Sequence, residues 1–177
     1  MYNKIIEKYY DKSSDAYRIL INHSRSVADK ALAIAERNSA MKLDLQFIEQ
    51  AAMLHDIGMI FCYAPAIDCY GTYPYICHGY LGAELVRKEG YEKHALVCER
   101  HTGTGISLTD IINRNLPLPH RDFMPLSAEE QLICFADKFY SKTSLNKEKS
   151  IDKVEASLGK WGADDLNRFQ QWLMLFT

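Results

Sequence analysis

The chain has 177 residues, a net charge of −2, 47% hydrophobic and 25% charged residues, enough for one domain whose core needs neither disulfides nor a structural metal. That charge, with a pI near 6.3, excludes the basic footprint of a duplex nucleic-acid binder and favours a small ligand or a protein as partner. No run of about 18 apolar residues occurs, and the start Met1–Glu7 lacks the apolar stretch of a signal peptide, so a soluble, cytoplasmic protein without membrane contact is expected.

Apolar residues recur at helical spacing and no alternating β-branched run is present, which predicts an all-α fold. A short helix is expected from about Asn3 to Tyr10, then a long one from near Ser14 to Asn38 with Ser13 or Ser14 as N-cap. Asp44 caps the next, which is expected to end at Gly58, read as a left-handed residue past the helix. From Met59 to Cys77 the pattern breaks at Pro65, Gly71 and Pro74, and tyrosines crowd the segment. A loop this long is functional or disordered.

Helices resume at about His78 to Lys88, with Gly90 beyond, then Glu92 to His101 and Leu108 to Asn113. A second loop, rich in proline, leads to Pro125. Ser127-Ala128-Glu129-Glu130 has the form of a capping box, with Glu130 reaching back, and predicts a helix through Asp137 to about Lys142. The charged stretch Asn146 to Lys153 links to two amphipathic segments, whose apolar stripe reads as core packing ahead of a dimer surface. The five cysteines, Cys62, Cys69, Cys77, Cys98 and Cys134, are odd in number and lack zinc-ribbon or redox spacing, so reduced thiols are expected. Three of them punctuate the aromatic loop, which leaves a Cys-rich structural metal site there as the alternative.

Six metal-ligand side chains sit on core-facing stripes. His23 shares a face with Ile19 and Val27, and His55 completes an i, i+3, i+4, i+7 stripe begun by Ile48, Ala51 and Ala52. Asp56 follows about 100° around the helix. His78 lines up with Leu81, Gly82 and Leu85, His101 with Val97 and Cys98, and Asp137 with Ile133, Cys134 and Tyr140. One inward histidine is ordinarily a hydrogen-bonded core residue. Several segments behaving alike point to a shared metal, which satisfies buried imidazoles and carboxylates together.

The tetrad His55-Asp56-Ile57-Gly58, with Glu99-Arg100-His101-Thr102-Gly103 and Phe135-Ala136-Asp137-Lys138, resembles the HD superfamily of metal-dependent phosphohydrolases. The likeness runs from His23 to Asp137. It implies a compact helical bundle around a metal site, a motif core at about 14–143 within a single domain spanning 1–177, and a C-terminal helical extension at about 148–177. By resemblance His23, His55, Asp56 and Asp137 hold a first metal, and Asp56 bridges to a second completed by His78 and His101, with His55 and Asp56 as the catalytic pair. The mixed ligands suit iron, manganese, zinc, cobalt or nickel. His94 lies two helical turns from His101, about 10 Å, too far to share its metal. His120, in the proline-rich loop, reads as solvent-exposed or as a substrate contact.

Many relatives carry a basic residue directly after the tetrad, where this chain has Met59. Arg25, Arg100, Lys138 and Lys142 are the alternative phosphate contacts, each balanced against a solvated surface charge. Tyr70, Tyr73 and Tyr75 either stack a nucleobase or pack as a lid. The activity expected is hydrolysis of a phosphate ester or anhydride in a small phosphorylated metabolite, a nucleotide or dinucleotide. The alternatives are a di-iron oxygenase and a metal-containing nucleotide-sensing module.

Overall fold

Side-chain caps start four of the nine helices in the computed structural model, which describes residues 1–177. α1 spans Tyr2–Tyr9, and α2 spans Asp15–Arg37 behind Ser14, whose hydroxyl accepts the Tyr17 amide. α3 spans Leu45–Leu54, and Asp44 caps it by accepting from Phe47 N. α4 (His78–Lys88) and α5 (Glu92–Arg100) follow. Gly90 joins them at φ 87°, a left-handed turn that suits glycine. A full capping box of Ser107 and Asp110 opens α6 (Leu108–Asn113). α7 (Ala128–Asp137), α8 (Ile151–Leu158) and α9 (Ala163–Phe176) complete an all-α bundle.

Three expectations are corrected. α3 stops at Leu54, because the His55 ring takes the Ala52 carbonyl at 2.6 Å and Asp56 leaves the helix at φ −103°, ψ 6°. Gly58 is therefore not a left-handed terminator. It lies in a 3-10 turn, Ile57–Phe61, where an added Cβ would sit 2.1 Å from His78 O and 2.3 Å from Gly82 N. The capping box at α7 closes on one side only: Ser127 caps Glu130 N, whereas the Glu130 carboxylate accepts from Leu126 N and Arg100. α7 also ends at Asp137, short of Lys142, since Lys149 draws the chain back by donating from Nζ to the carbonyls of Lys138 and Tyr140.

The aromatic loop is ordered. Its strands β1 (Tyr63–Ala64) and β2 (Cys69–Tyr70) pair antiparallel, Tyr63 opposite Tyr70, a feature too short for periodicity to reveal. One apolar cluster joins α2, α3, α7, α8 and α9, with Phe135 stacked on Phe169 at 5.3 Å. A second packs α1 and the aromatic loop against α2, α4 and α5. Trp172 and Phe176 are buried in the first cluster, whereas Leu175 is exposed, so the C-terminal stripe is mainly core. All five cysteines are free and buried. No helix is long and apolar enough to cross a membrane.

Candidate metal centre

Five of the six ligand-type residues stand at the ends of helices or turns. His55 and His101 cap the C-termini of α3 and α5, Asp56 precedes the 3-10 turn, His78 begins α4 and Asp137 ends α7. His23 alone comes from the middle of a helix, α2. All are buried except Asp137, whose side chain is 12% exposed.

A repeated local bond orients three of the rings. His55 Nδ1 donates to Ala52 O at 2.6 Å, His78 Nδ1 to Tyr75 O at 2.7 Å and His101 Nδ1 to Cys98 O at 2.8 Å, each three residues back. Since a carbonyl only accepts, Nδ1 carries the proton and Nε2 of the neutral ring is left with a lone pair. Those Nε2 atoms converge on Asp56. Its Oδ2 lies 2.9 Å from His55 Nε2 and 3.1 Å from His23 Nε2, and its Oδ1 lies 3.2 Å from His78 Nε2 and 3.3 Å from His101 Nε2.

The distances are short, yet His55 Nε2 and both Asp56 oxygens lack any hydrogen bond of acceptable geometry. Leaving such buried groups unpaired costs about 1–3 kcal/mol each. His78 Nε2 also faces His101 Nε2 at 3.0 Å, so two neutral rings would oppose lone pairs. A shared cation removes both penalties, and the donor set fits a divalent transition metal. Two ligand groups result, His23, His55, Asp56 and Asp137 in one and Asp56, His78 and His101 in the other, with no cysteine in either.

The charges are strongly coupled. Burial lowers His55, but the neighbouring Asp56 and Asp137 carboxylates outweigh it and raise the ring to about 9. Burial dominates at His101 and brings it down to about 4. Burial alone would raise Asp56 and Asp137; His55 and Lys142 beside the first, and Lys138 beside the second, hold both well below the usual carboxylate range. Lys142 Nζ is 2.6 Å from Asp56 Oδ2, and Lys138 Nζ is 2.9 Å from Asp137 Oδ2 and 3.1 Å from His101 O.

A cavity of about 440 Å³ reaches this cluster, with Asp137, Lys138, Lys142 and Tyr75 in its wall. Arg25 and Arg100 do not line it. Arg25 pairs with Glu49 at 3.0 Å and Arg100 with Glu130 at 2.9 Å, so both are engaged in bracing helices. The tyrosines separate: Tyr70 and Tyr73 are exposed and outside the cavity, whereas Tyr75 is half-buried, stacked on His78 at 4.5 Å. One face of Tyr75 is thereby occupied. Its hydroxyl has no hydrogen-bond partner. His94 stays with Gln50 at 3.2 Å, outside the cluster, and His120 is exposed. Met59 is fully buried in the second apolar cluster, a position where an ammonium would be costly.

Among the cavity residues that sequence reasoning missed are Lys149, Arg114 and Trp161. They lie in loops or helix caps without a motif, and only the folding back of the C-terminal segment brings them in. The one available signal was Trp161-Gly162, an aromatic residue at the break between two amphipathic segments.

Comparison with known proteins agrees with this geometry. An uncharacterized protein of Methanocaldococcus jannaschii is 33% identical over 145 residues, covering 80% of this chain and 78% of that protein. The tRNA (cytidine(56)-2'-O)-methyltransferases of Thermoplasma volcanium and Picrophilus torridus are each 30% identical over 82% and 81% of this chain, which matches only 38% of either methyltransferase. No solved structure matches. The family model for the HD domain matches residues 20–141, from just before His23 to just beyond Asp137. With all six ligand positions inside that span and gathered around Asp56, the chain belongs to the HD domain family of metal-dependent phosphohydrolases.

Proposed function

We propose that the protein hydrolyses a phosphate ester or anhydride in a small phosphorylated metabolite, a nucleotide or dinucleotide, at a centre of two divalent metals. The observation that carries this reading is Asp56, whose two oxygens each face a separate pair of imidazole nitrogens 2.9–3.3 Å away. His23, His55, Asp56 and Asp137 hold one ion, and Asp56, His78 and His101 the other. Bound there, the ions supply Lewis acidity toward a phosphoryl oxygen and lower the pKa of attacking water.

The chain's own residues do the rest. Lys138 and Lys142 anchor phosphate oxygens, each using the donors left over from its carboxylate contact. Lys142 thereby supplies the cation that Met59 does not. The Tyr75 ring forms part of the cavity wall, with the Lys142 ammonium 5.9 Å from its centroid. The apolar surroundings of His55 and Asp56 exclude bulk water and strengthen these contacts.

Metal analysis followed by a phosphate-release screen tests the proposal. Wild type should hold about two ions per chain and release phosphate, His55→Ala and Asp56→Ala should lose turnover and most of the metal, and the His78→Ala/His101→Ala double variant should keep about one ion with little hydrolysis. His94→Gln should retain its metal. Saturation of wild type at one ion, or full turnover in either single alanine variant, removes the binuclear mechanism.

A further inference from the structure

Besides Asp137, Lys138 and Lys142, the cavity is lined by residues outside the span matched by the family model. α8 contributes Leu158, and the turn after it contributes Trp161. Trp161 is 53% exposed, an unusual position for an indole that no apolar cluster covers. Arg114 flanks it. The Arg114 guanidinium lies 5.9 Å from the centroid of the indole ring, and Arg114 Nη2 donates to the Trp161 carbonyl.

A half-exposed indole in a cavity wall offers a planar surface for stacking, with the planar Arg114 guanidinium beside it. Ile106 and Leu116 line the same space and suit an uncharged organic group. Lys138, Lys142 and Lys149 also line the cavity and suit an anion. A volume of about 440 Å³ admits a small molecule with a phosphate at one end and a flat ring at the other. The loop tyrosines do not provide this surface, since Tyr75 is stacked on His78 and Tyr70 and Tyr73 lie outside the cavity.

Resting on the phosphohydrolase reading, we infer that Trp161, braced by Arg114, is a specificity-determining residue that stacks a flat heterocyclic ring of the substrate. The substrate class is then a nucleoside phosphate, in preference to a phosphate on a bare sugar or an aliphatic chain. The C-terminal segment supplies this selectivity and the ligand cluster supplies the chemistry.

The test compares AMP with ribose 5-phosphate, which lacks the base. In wild type, AMP should quench tryptophan emission more strongly than ribose 5-phosphate at equal concentration. In Trp161→Leu the differential quench should vanish, and the ratio of kcat/KM for AMP to that for ribose 5-phosphate should fall about tenfold, the loss expected for one stacked ring. Trp161 lies outside the apolar clusters, so this replacement leaves the core intact. If phosphate is released from both compounds with the same ratio in wild type and variant, the stacking subsite is wrong and the hydrolase reading stands. If neither compound is hydrolysed but AMP alone quenches through Trp161, the subsite stands and the hydrolase reading falls.

Discussion

Two imidazole nitrogens facing each other at 3.0 Å, His78 Nε2 and His101 Nε2, show how far this site departs from an ordinary core. Each ring is already fixed through Nδ1 by its backbone carbonyl, so neither can turn away to relieve the contact. Protons and metal ions therefore compete for the same positions. His55 is the residue where that competition is measurable, because Asp56 and Asp137 overcome burial and raise it to about 9. Its raised value means that the ring is protonated below about pH 9, and that proton must leave before Nε2 binds an ion. Metal affinity should rise with pH, about tenfold per unit for the one proton, and level off above about 9. Competition titrations with a metal-binding dye across this range measure the slope. A flat profile would mean that His55 is not a ligand.

At the scale of elements, the centre depends on a backbone contact between the 3-10 turn and α4. Gly58 and Gly82 meet with no room for a side chain: a Cβ on Gly58 would fall 2.1 Å from His78 O, and one on Gly82 would fall 2.9 Å from Gly58 N. This is the closeness that sets Asp56 Oδ1 3.2 Å from His78 Nε2. Gly58→Ala must push α4 away, since backbone atoms on both sides cannot yield by rotating a side chain. It should cost on the order of 3 kcal/mol in denaturant unfolding. Because it acts on α4 first, the group containing His78 and His101 should lose its ion before the group containing His23 and Asp137. Unchanged metal stoichiometry in a folded Gly58→Ala protein would show that the glycine contact does not position the ligands. The helix order was legible in the sequence, down to Ser14 and Asp44 as caps, because capping is local chemistry. The ends of α3 and α7 were not. Their carbonyls are taken by the His55 ring and by Lys149, partners that a periodic pattern does not contain.

For the whole molecule, inward spacing made the six ligand-type residues readable one segment at a time. Their meeting around one carboxylate follows from the packing of α2, α3, α4, α5 and α7. The substrate side was less legible. Trp161 and Lys149 join the cavity because the chain folds back after α7 and α9 buries Phe169 and Phe176 against Phe135, an arrangement set by tertiary packing. Of its tyrosines, the loop that is crowded in sequence presents only Tyr75 to the cavity. Lys142 has a further consequence for the life of the protein. Its ammonium lies 2.6 Å from Asp56 Oδ2, and with His55 it balances the buried carboxylate without an ion. Chelation should therefore abolish turnover while helical circular dichroism persists, and loss of the helical signal on chelation would refute this. A chain that folds before it is metallated does not choose its ion during synthesis. The ion held by the folded protein should then follow the ion supplied to it, which loading the metal-free chain with one divalent cation at a time and counting bound metal would measure.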